Sequence, residues 1–486
     1  MSDQSFVEAR SFDFVPEHER HGNVRSQVQF WFMINATLIT LYTGAVGPSF
    51  GLGLPWTLLA VVVGSIAGTL FQAFHGAQGP RMGLPQMIQS RVQFGSRGAI
   101  IPLVAAMITQ FGFAIFFIQT GAQAVVDMTG VERFGLFQVA IGFVAMLVAI
   151  VGYNLVMKVE KYASYATLIN LIFLTLAAVL YLPFGTMFAD TKFSLLPFLA
   201  QLGASASYQL AIAPIVSDYT RYLPSRISGA AVSAAVFCGT MASAIWLQSL
   251  GAALAISSPG QDVIRSVYML GQSFGFGLST ATMVIAAIAC LITAAVTYYS
   301  GSVTVLSAGE AFRTFRSTGL LRSITILIGA CVAIAASLSL TAGILASFSA
   351  FLSLLGYFLI PWTAVNLTDY YFIRRGQYSI SDILRADGGI YGRWAFSGLA
   401  SYALGFLCMI PFFSTPLYTG PIAQLLGGAD LSFAVGLIVA SISYVLMTRQ
   451  HNFHEELAAV RAAPLNTIDE QRESGSGFSR MENEMA

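Results

Sequence analysis

Polar residues fall in short clusters along this chain, and between them lie twelve apolar stretches: roughly 27–52, 55–74, 99–126, 134–156, 164–184, 195–215, 228–256, 279–308, 321–340, 343–367, 394–413 and 430–448. A helix needs about 20 mostly apolar residues to cross a bilayer. The pattern therefore predicts an all-α integral membrane protein with twelve transmembrane helices. Residues 1–26 read as a polar N-terminal tail. Residues 449–486, polar and with Glu, Ser and Gly, read as a disordered C-terminal tail.

Two of the stretches break their own pattern. The sixth, QLGASASYQLAIAPIVSDYTRYLP from Gln201 to Pro224, passes through Gly203, Ser205, Ser207, Gln209 and Pro214 at membrane depth. Proline lacks the amide donor and clashes with the turn before it. Non-helical backbone at that depth persists only where protein buries it or where it lines a cavity. The first stretch carries Asn35, Thr37, Thr40 and Thr43, then Gly44, Gly47, Pro48, Gly51 and Gly53. Breaks at corresponding places in two halves point to an inverted-repeat transporter core with its site at the repeat interface. The expected organisation is a first five-helix repeat over 27–184, a second over 195–367 and two further helices over 394–448, with helices one and six interrupted.

Composition agrees: the chain is 56% hydrophobic and only 10% charged, where soluble domains carry about 25% charged residues. A net charge of +1 argues against a nucleic-acid partner. Lys and Arg decide orientation. With both termini cytoplasmic, external loops hold only Arg133, Lys192 and Arg265, and the other basic residues fall inside. The expected location is the plasma or inner membrane. Cys238, Cys290, Cys331 and Cys408 all lie in apolar runs and read as buried thiols. No cleavable leader is expected, since the first apolar run is too long for an h-region. Gln261 to Gly275, between spans seven and eight, has apolar Val263, Val267, Leu270 and Phe274 and predicts a short amphipathic external helix. Gly64 and Gly68 form a GxxxG suited to close packing inside the bundle.

Three motifs resemble the nucleobase–cation symporter family, which includes purine–cytosine and hydantoin permeases. They are GPRMGLPQMIQSRVQFGSRG at Gly79 to Gly98, TQFGF at Thr109 to Phe113, and SDYTRYLP at Ser217 to Pro224. The likeness covers spans one to ten in order and spacing. It implies the leucine-transporter fold, a 5+5 inverted repeat, and movement of one flat heterocycle coupled to Na⁺ or H⁺ by alternating access. Phe113 stands where the family usually has Trp.

A nucleobase or hydantoin offers a π face and an edge of mixed donors and acceptors, so its site needs an aromatic platform and amides. Gln110 and Phe113, three apart on span three, share a face and are candidates for edge and platform. From the broken sixth span, Tyr208, Gln209 and the backbone at Ala211 are candidates, with Asn35 from the first and Tyr298 from the eighth. The resemblance implies cation ligands at Thr37 and Leu38 in the first span and at Ala289 and Thr293 in the eighth. Ile292 stands there in place of a second hydroxyl, which weakens a sodium site and favours H⁺, yet no mid-membrane carboxylate is evident. Asp218, Arg221 and Arg91, at the inner ends of spans that must move, are gating candidates. No metal site and no cofactor beyond the coupling ion are expected, and the functional unit is expected to be monomeric.

Other classes find little support. No P-loop is present, and no Ser-His-Asp, HExxH or Cys/His spacing reaches mid-membrane. A channel would need a repeated filter or charged ring. The expected function is secondary import of cytosine, a purine, uracil, allantoin or a hydantoin. A vitamin-like heterocycle, or a membrane sensor or enzyme on the same scaffold, are the alternatives.

Overall fold

All twelve apolar stretches are helical, whole or in pieces, in the computed structural model, which describes residues 14–462 apart from 152, 311, 313–318, 341–342, 416–417, 450 and 452. The first stretch gives α1 (Val24–Ile34) and α2 (Ile39–Gly44), and α3 (Leu54–Gly76), α4 (Ile100–Thr129), α5 (Phe134–Val151) and α6 (Tyr153–Tyr181) follow. The sixth stretch gives α7 (Leu195–Leu210) and α8 (Val216–Thr220). Then come α9 (Gly229–Ser257), α10 (Val263–Phe274), α11 (Leu278–Glu310), α12 (Gly319–Ser339), α13 (Ile344–Thr368), α14 (Phe396–Met409), α15 (Ser432–Thr448) and α16 (Phe453–Ala462). Among the described residues nine helices are long and apolar enough to cross a membrane. Phe396–Phe412 and Ser432–Thr448 are shorter apolar helices.

Two groups of helices hold the fold together. In one, α1 and α2 pack on α9, and α3 packs on both α7 and α9. In the other, α4 packs on α11, and α5 packs on α11 and α12. Each group joins two consecutive spans of the first half to the spans five places later, which is the pairing an inverted repeat produces. The amphipathic α10 forms as its pattern predicts: Asp262 accepts from the Ile264 amide at 2.9 Å, and Val263, Val267 and Leu270 are buried. Burial pushes the Asp262 carboxyl up from its ordinary range, although donors from Tyr42 and Ile264 work against it.

Small residues let the helices of the first group touch. A Cβ on Gly64 would lie 2.3 Å from the Leu202 carbonyl oxygen, and one on Gly68 would lie 2.2 Å from that of Ala206. The GxxxG is thus the seat of α7 on α3, inside one chain. Outward faces are apolar, as a lipid solvent requires: Ile169, Ile172, Leu176 and Val179 on α6, and Ile328 and Val332 on α12, are exposed.

Two expectations change. Cys238, Cys331 and Cys408 are exposed, and only Cys290 is buried. An apolar run locates a residue in the membrane and does not say whether it faces protein or lipid. The segment read as a disordered tail contains the helix α16, which folds back on the end of α13. Arg374 donates to Glu456 at 2.6 Å and also pairs with Asp369, with all three side chains buried. Burial pulls the Arg374 guanidinium down, but Asp369, Tyr444 and Glu456 outweigh it and hold it well above its ordinary value. Residues 463–486 lie outside the described residues, as do 1–13 of the N-terminal tail.

Gly68→Val is expected to destabilise the protein by about 1–3 kcal/mol through overpacking against α7. A lowered thermal midpoint in detergent, with Gly203→Ala as a control at open space, checks this.

Candidate functional site

Both interruptions are real, and they meet. α1 stops at Ile34, with Asn35 as its cap, and α2 begins at Ile39. The backbone freed here finds partners locally: the Asn35 carbonyl accepts from the Thr37 amide at 2.8 Å and from Thr40 Oγ1 at 2.7 Å. The glycines and Pro48 that follow are not the break. Gly44 and Pro48 lie in helical turns, and Gly44 instead presses on the Gln248 backbone of α9. α7 stops at Leu210. A turn through Ala211 and Ile212 leads into the 3₁₀ turn Ala213–Ile215, which holds Pro214, and then α8.

One side-chain contact joins the two breaks. Asn35 Nδ2 donates to Gln209 Oε1 at 3.1 Å and to the Thr240 carbonyl at 3.3 Å, with both side chains fully buried. A carbonyl only accepts, so Thr240 fixes which way the Asn35 amide points. Asn35 Oδ1 and Gln209 Nε2 are then left with no partner. Leaving a buried polar atom unmade costs about 1–3 kcal/mol. An acceptor and a donor on adjacent amides are what a C=O/N–H edge would satisfy.

Aromatic rings stand beside this pair. The Tyr208 hydroxyl lies 2.7 Å from Thr40 Oγ1, whose one proton goes to the Asn35 carbonyl, so Tyr208 is the donor. Its ring meets Phe113 edge to face at 6.1 Å and Phe348 at 6.2 Å. Phe113 also contacts Phe351 at 5.4 Å. Phe113 is only half-buried, so part of its surface stays open.

Of the candidates read from sequence, Asn35, Gln209, Tyr208 and Phe113 are thus brought together. Ala211 is buried at the end of α7, its amide donating to the Ser207 carbonyl. Gln110 is buried on α4, one turn before Phe113. Tyr298 is fully buried on α11, and its hydroxyl has no partner. At the implied cation site, Thr293 Oγ1 donates to the Ala289 carbonyl at 2.8 Å, which leaves the Oγ1 lone pairs uncommitted, and Ile292 is buried beside both residues. Thr37 and Leu38 form the turn inside the first break, and their carbonyls accept from Thr40 and Leu41 amides.

Two of the gating candidates, Asp218 and Arg221, lie at the joint between the motifs after spans two and six. Asp218 Oδ1 accepts from the Gln86 amide at 2.8 Å, and Arg221 Nε donates to the Asp218 carbonyl at 3.2 Å. Arg91 donates to the Ile383 carbonyl at 3.3 Å. The side chain of Glu310, at the end of α11, lies outside the described residues.

Sequence reasoning missed the surroundings of the pair. Thr40 and Thr240 orient Asn35 and Tyr208, and Gln72 Nε2 donates to Thr240 Oγ1 at 3.3 Å. Phe348 and Phe351 complete the ring cluster from α13. Their spacing of three on one helix was visible, but it does not distinguish a binding wall from ordinary core.

Two broken helices meeting through unsatisfied amides, on helix groups offset by five, define a secondary-transporter core. The chain belongs to the family of permeases for cytosine/purines, uracil, thiamine and allantoin, whose model matches residues 14–436. YxlA of Bacillus subtilis, which carries a provisional purine–cytosine permease name, is 34% identical over 91% of this chain and 96% of its own length. The purine–cytosine permease fcyB of Emericella nidulans is 23% identical over 91% of this chain and 88% of its own. Among solved structures, the nucleobase-cation-symport-1 transporter Mhp1, closed with bromovinylhydantoin bound, superposes with TM-score 0.71 at 19% identity, covering 92% of this chain and 96% of that one. Its inward-facing form gives 0.73 at 17% identity over 92% and 94%. The protein is thus a multi-pass membrane permease of the leucine-transporter fold.

Thr40→Val keeps shape but removes the hydroxyl shared by Asn35 and Tyr208. It is expected to cost about 1–3 kcal/mol and to weaken substrate binding more than Thr43→Val, whose hydroxyl has no partner. Thermal unfolding with and without substrate separates the two effects.

Proposed function

We propose that this permease imports one flat heterocycle of the nucleobase type, such as cytosine, a purine, uracil, allantoin or a hydantoin, by alternating access coupled to H⁺ or Na⁺. The observation that carries this reading is the unpartnered pair Asn35 Oδ1 and Gln209 Nε2 beside the Phe113–Tyr208–Phe348 rings. A ring amide donates its N–H to the first and accepts at its C=O from the second, while its face lies on an aromatic side chain. Gln110 reads another part of the edge, and Tyr298 and the Ala211 backbone close the site. The proposed unit is a monomer in the cell membrane with cytoplasmic termini, needing no cofactor beyond the coupling ion. Arg91, Asp218 and Arg221 act near the cytoplasmic gate.

Of the two ions, the proton is favoured. Ile292 offers no oxygen, which leaves the implied site without its second hydroxyl. Na⁺ is a hard cation that needs several oxygens at once.

A competition panel of unlabelled heterocycles in proteoliposomes tests the substrate. Uptake competed by nucleobases or hydantoins is the expected result; competition by thiamine alone would replace it with a vitamin carrier. Gln209→Leu and Gln110→Ala are each expected to reduce uptake at normal expression. Full activity in well-expressed Gln110→Ala would remove that residue from the site. Uptake at fixed pH is expected to change little when external Na⁺ is exchanged for choline, and a steep Na⁺ dependence would reverse the ion assignment.

A further inference from the structure

The motif after the second span contains a feature that substrate binding does not use. Four buried amides run head to tail from the end of α3 to the end of α13. Gln86 Nε2 donates to Gln78 Oε1 at 3.0 Å, and Gln78 Nε2 to Asn366 Oδ1 at 2.7 Å. Asn366 Nδ2 donates to Gln93 Oε1 at 3.4 Å, and Gln93 Nε2 to Asp369 Oδ2 at 2.8 Å. The direction is set at the far end. Asp369 also receives Tyr378 at 2.9 Å, Tyr444 at 2.8 Å and Arg374, a set of donors that suits a carboxylate acting only as acceptor.

His75 stands at the other end, fully buried. Its Nδ1 faces two amide nitrogens, Gln86 Nε2 at 3.2 Å and Gln78 Nε2 at 3.4 Å. Amide nitrogens only donate, so Nδ1 accepts and the ring carries its proton on Nε2, 2.6 Å from Thr363 Oγ1. Full burial penalises a second proton on this ring, and two contacts work against that penalty. The ring stacks on Trp362 at 4.6 Å with planes 4° apart, and an indole face attracts a cation. Gln86 Oε1 is buried without a partner. If the Gln86 amide turned over, that oxygen would meet a protonated Nδ1.

Turning Gln86 has a consequence at the far end. Gln78, Asn366 and Gln93 would have to turn with it, and Gln93 would then point its oxygen at Asp369. An ionised Asp369 and a protonated His75 therefore cannot both satisfy the chain. A proton at His75 loosens the hold of Gln93 on the end of α13. Other charged and titratable groups around the ring are Asp218 on the Gln86 amide, Arg221 beside Asp218, Arg81 bonded to Gly376, and Tyr370 and Tyr371 bonded to the Ala77 and Phe74 carbonyls. On the substrate side, Gln72 lies one turn before His75 on α3, and it reaches Asn35 through Thr240.

We propose that His75 is the residue that takes up the coupling proton, and that the four amides reverse when it does. This rests on the transport reading above. One proton is taken from the outer medium onto Nδ1 in each cycle and released from it inside; no other covalent bond changes.

The first test needs no substrate. Protonated imidazole quenches an indole stacked on it, so purified wild-type protein should lose tryptophan emission as pH falls, and His75→Gln should lack that component. Gln86→Met should move it to lower pH, because losing the charge-assisted acceptor costs the protonated form more than the neutral one. No His75-dependent component, or no shift in Gln86→Met, would overturn the proposal.

The second test uses proteoliposomes with a trapped pH dye and labelled cytosine, adenine, uracil and allantoin. Wild type should accumulate substrate down an inward proton gradient and acidify the lumen. His75→Gln should keep counterflow and lose both. Counterflow without proton-driven accumulation in wild type, or unchanged accumulation in His75→Gln, overturns the proton site and leaves the heterocycle reading intact. Counterflow of none of the four, nor of a labelled hydantoin, overturns the heterocycle reading, and the emission titration then decides the proton site by itself.

Discussion

Backbone that leaves its helix inside a membrane has to find hydrogen bonds within the protein, because lipid supplies none. The structure answers this requirement twice, at Asn35–Leu38 and at Ala211–Ile212, and it places the two answers against each other. The Asn35–Gln209 contact is what the surrounding packing serves. Gly64 and Gly68 bring α7 close to α3, and Gly44 and Gly251 bring α2 close to α9. Without that approach the breaks would not share a site. The contact is also incomplete, since one acceptor and one donor remain over. Incompleteness at the meeting point of two movable helices is what a transporter needs, because an edge fully satisfied by protein would have nothing to offer a ligand.

The polar groups nearer the arginine-rich end are arranged differently. There His75, the four amides, Asp369, Arg374 and Glu456 form one connected set across α3, α13, α15 and α16, with Gln86 Oε1 left over. A buried network of this kind is stable only if each member keeps its partner. Breaking it at one point is felt along its length, which suits a part of the molecule that holds one conformation and releases it on a signal. The site and the network are joined by α3, which carries Gln72 on one side and His75 on the other. The proposed substrate edge and the proposed proton site thus border the same helix.

Much of the fold was legible from the chain. Apolar run lengths located the helices, because about 30 Å of hydrocarbon needs a fixed length of helix. Polar residues and proline at membrane depth marked both breaks, because their cost in lipid demands a reason. The GxxxG and the amphipathic α10 were legible for the same kind of local reason. Details of the first break were not: the glycines and Pro48 looked like its cause, whereas the chain leaves the helix earlier, at Asn35. Glycine near a helix end signals either a break or a close approach, and only the partner at Gln248 shows which.

By itself, then, the sequence determined which segments sit in the bilayer, where the helices fail, and which amides and rings such a failure could use. These properties depend on residue type and on spacing along one helix, and both are written in one dimension. Only the tertiary structure decided that Asn35 meets Gln209, that Thr40 serves both Asn35 and Tyr208, and that Phe348 and Phe351 complete the rings. It alone turned part of an apparent tail into a helix clamped by Arg374, and it alone put three of the four cysteines on the lipid side. Those outcomes depend on which face of each helix turns inward and on contacts between residues far apart in the chain, such as His75 and Thr363, 288 positions apart. Hydrophobicity cannot tell lipid from protein interior, and a glutamine does not carry the identity of its partner.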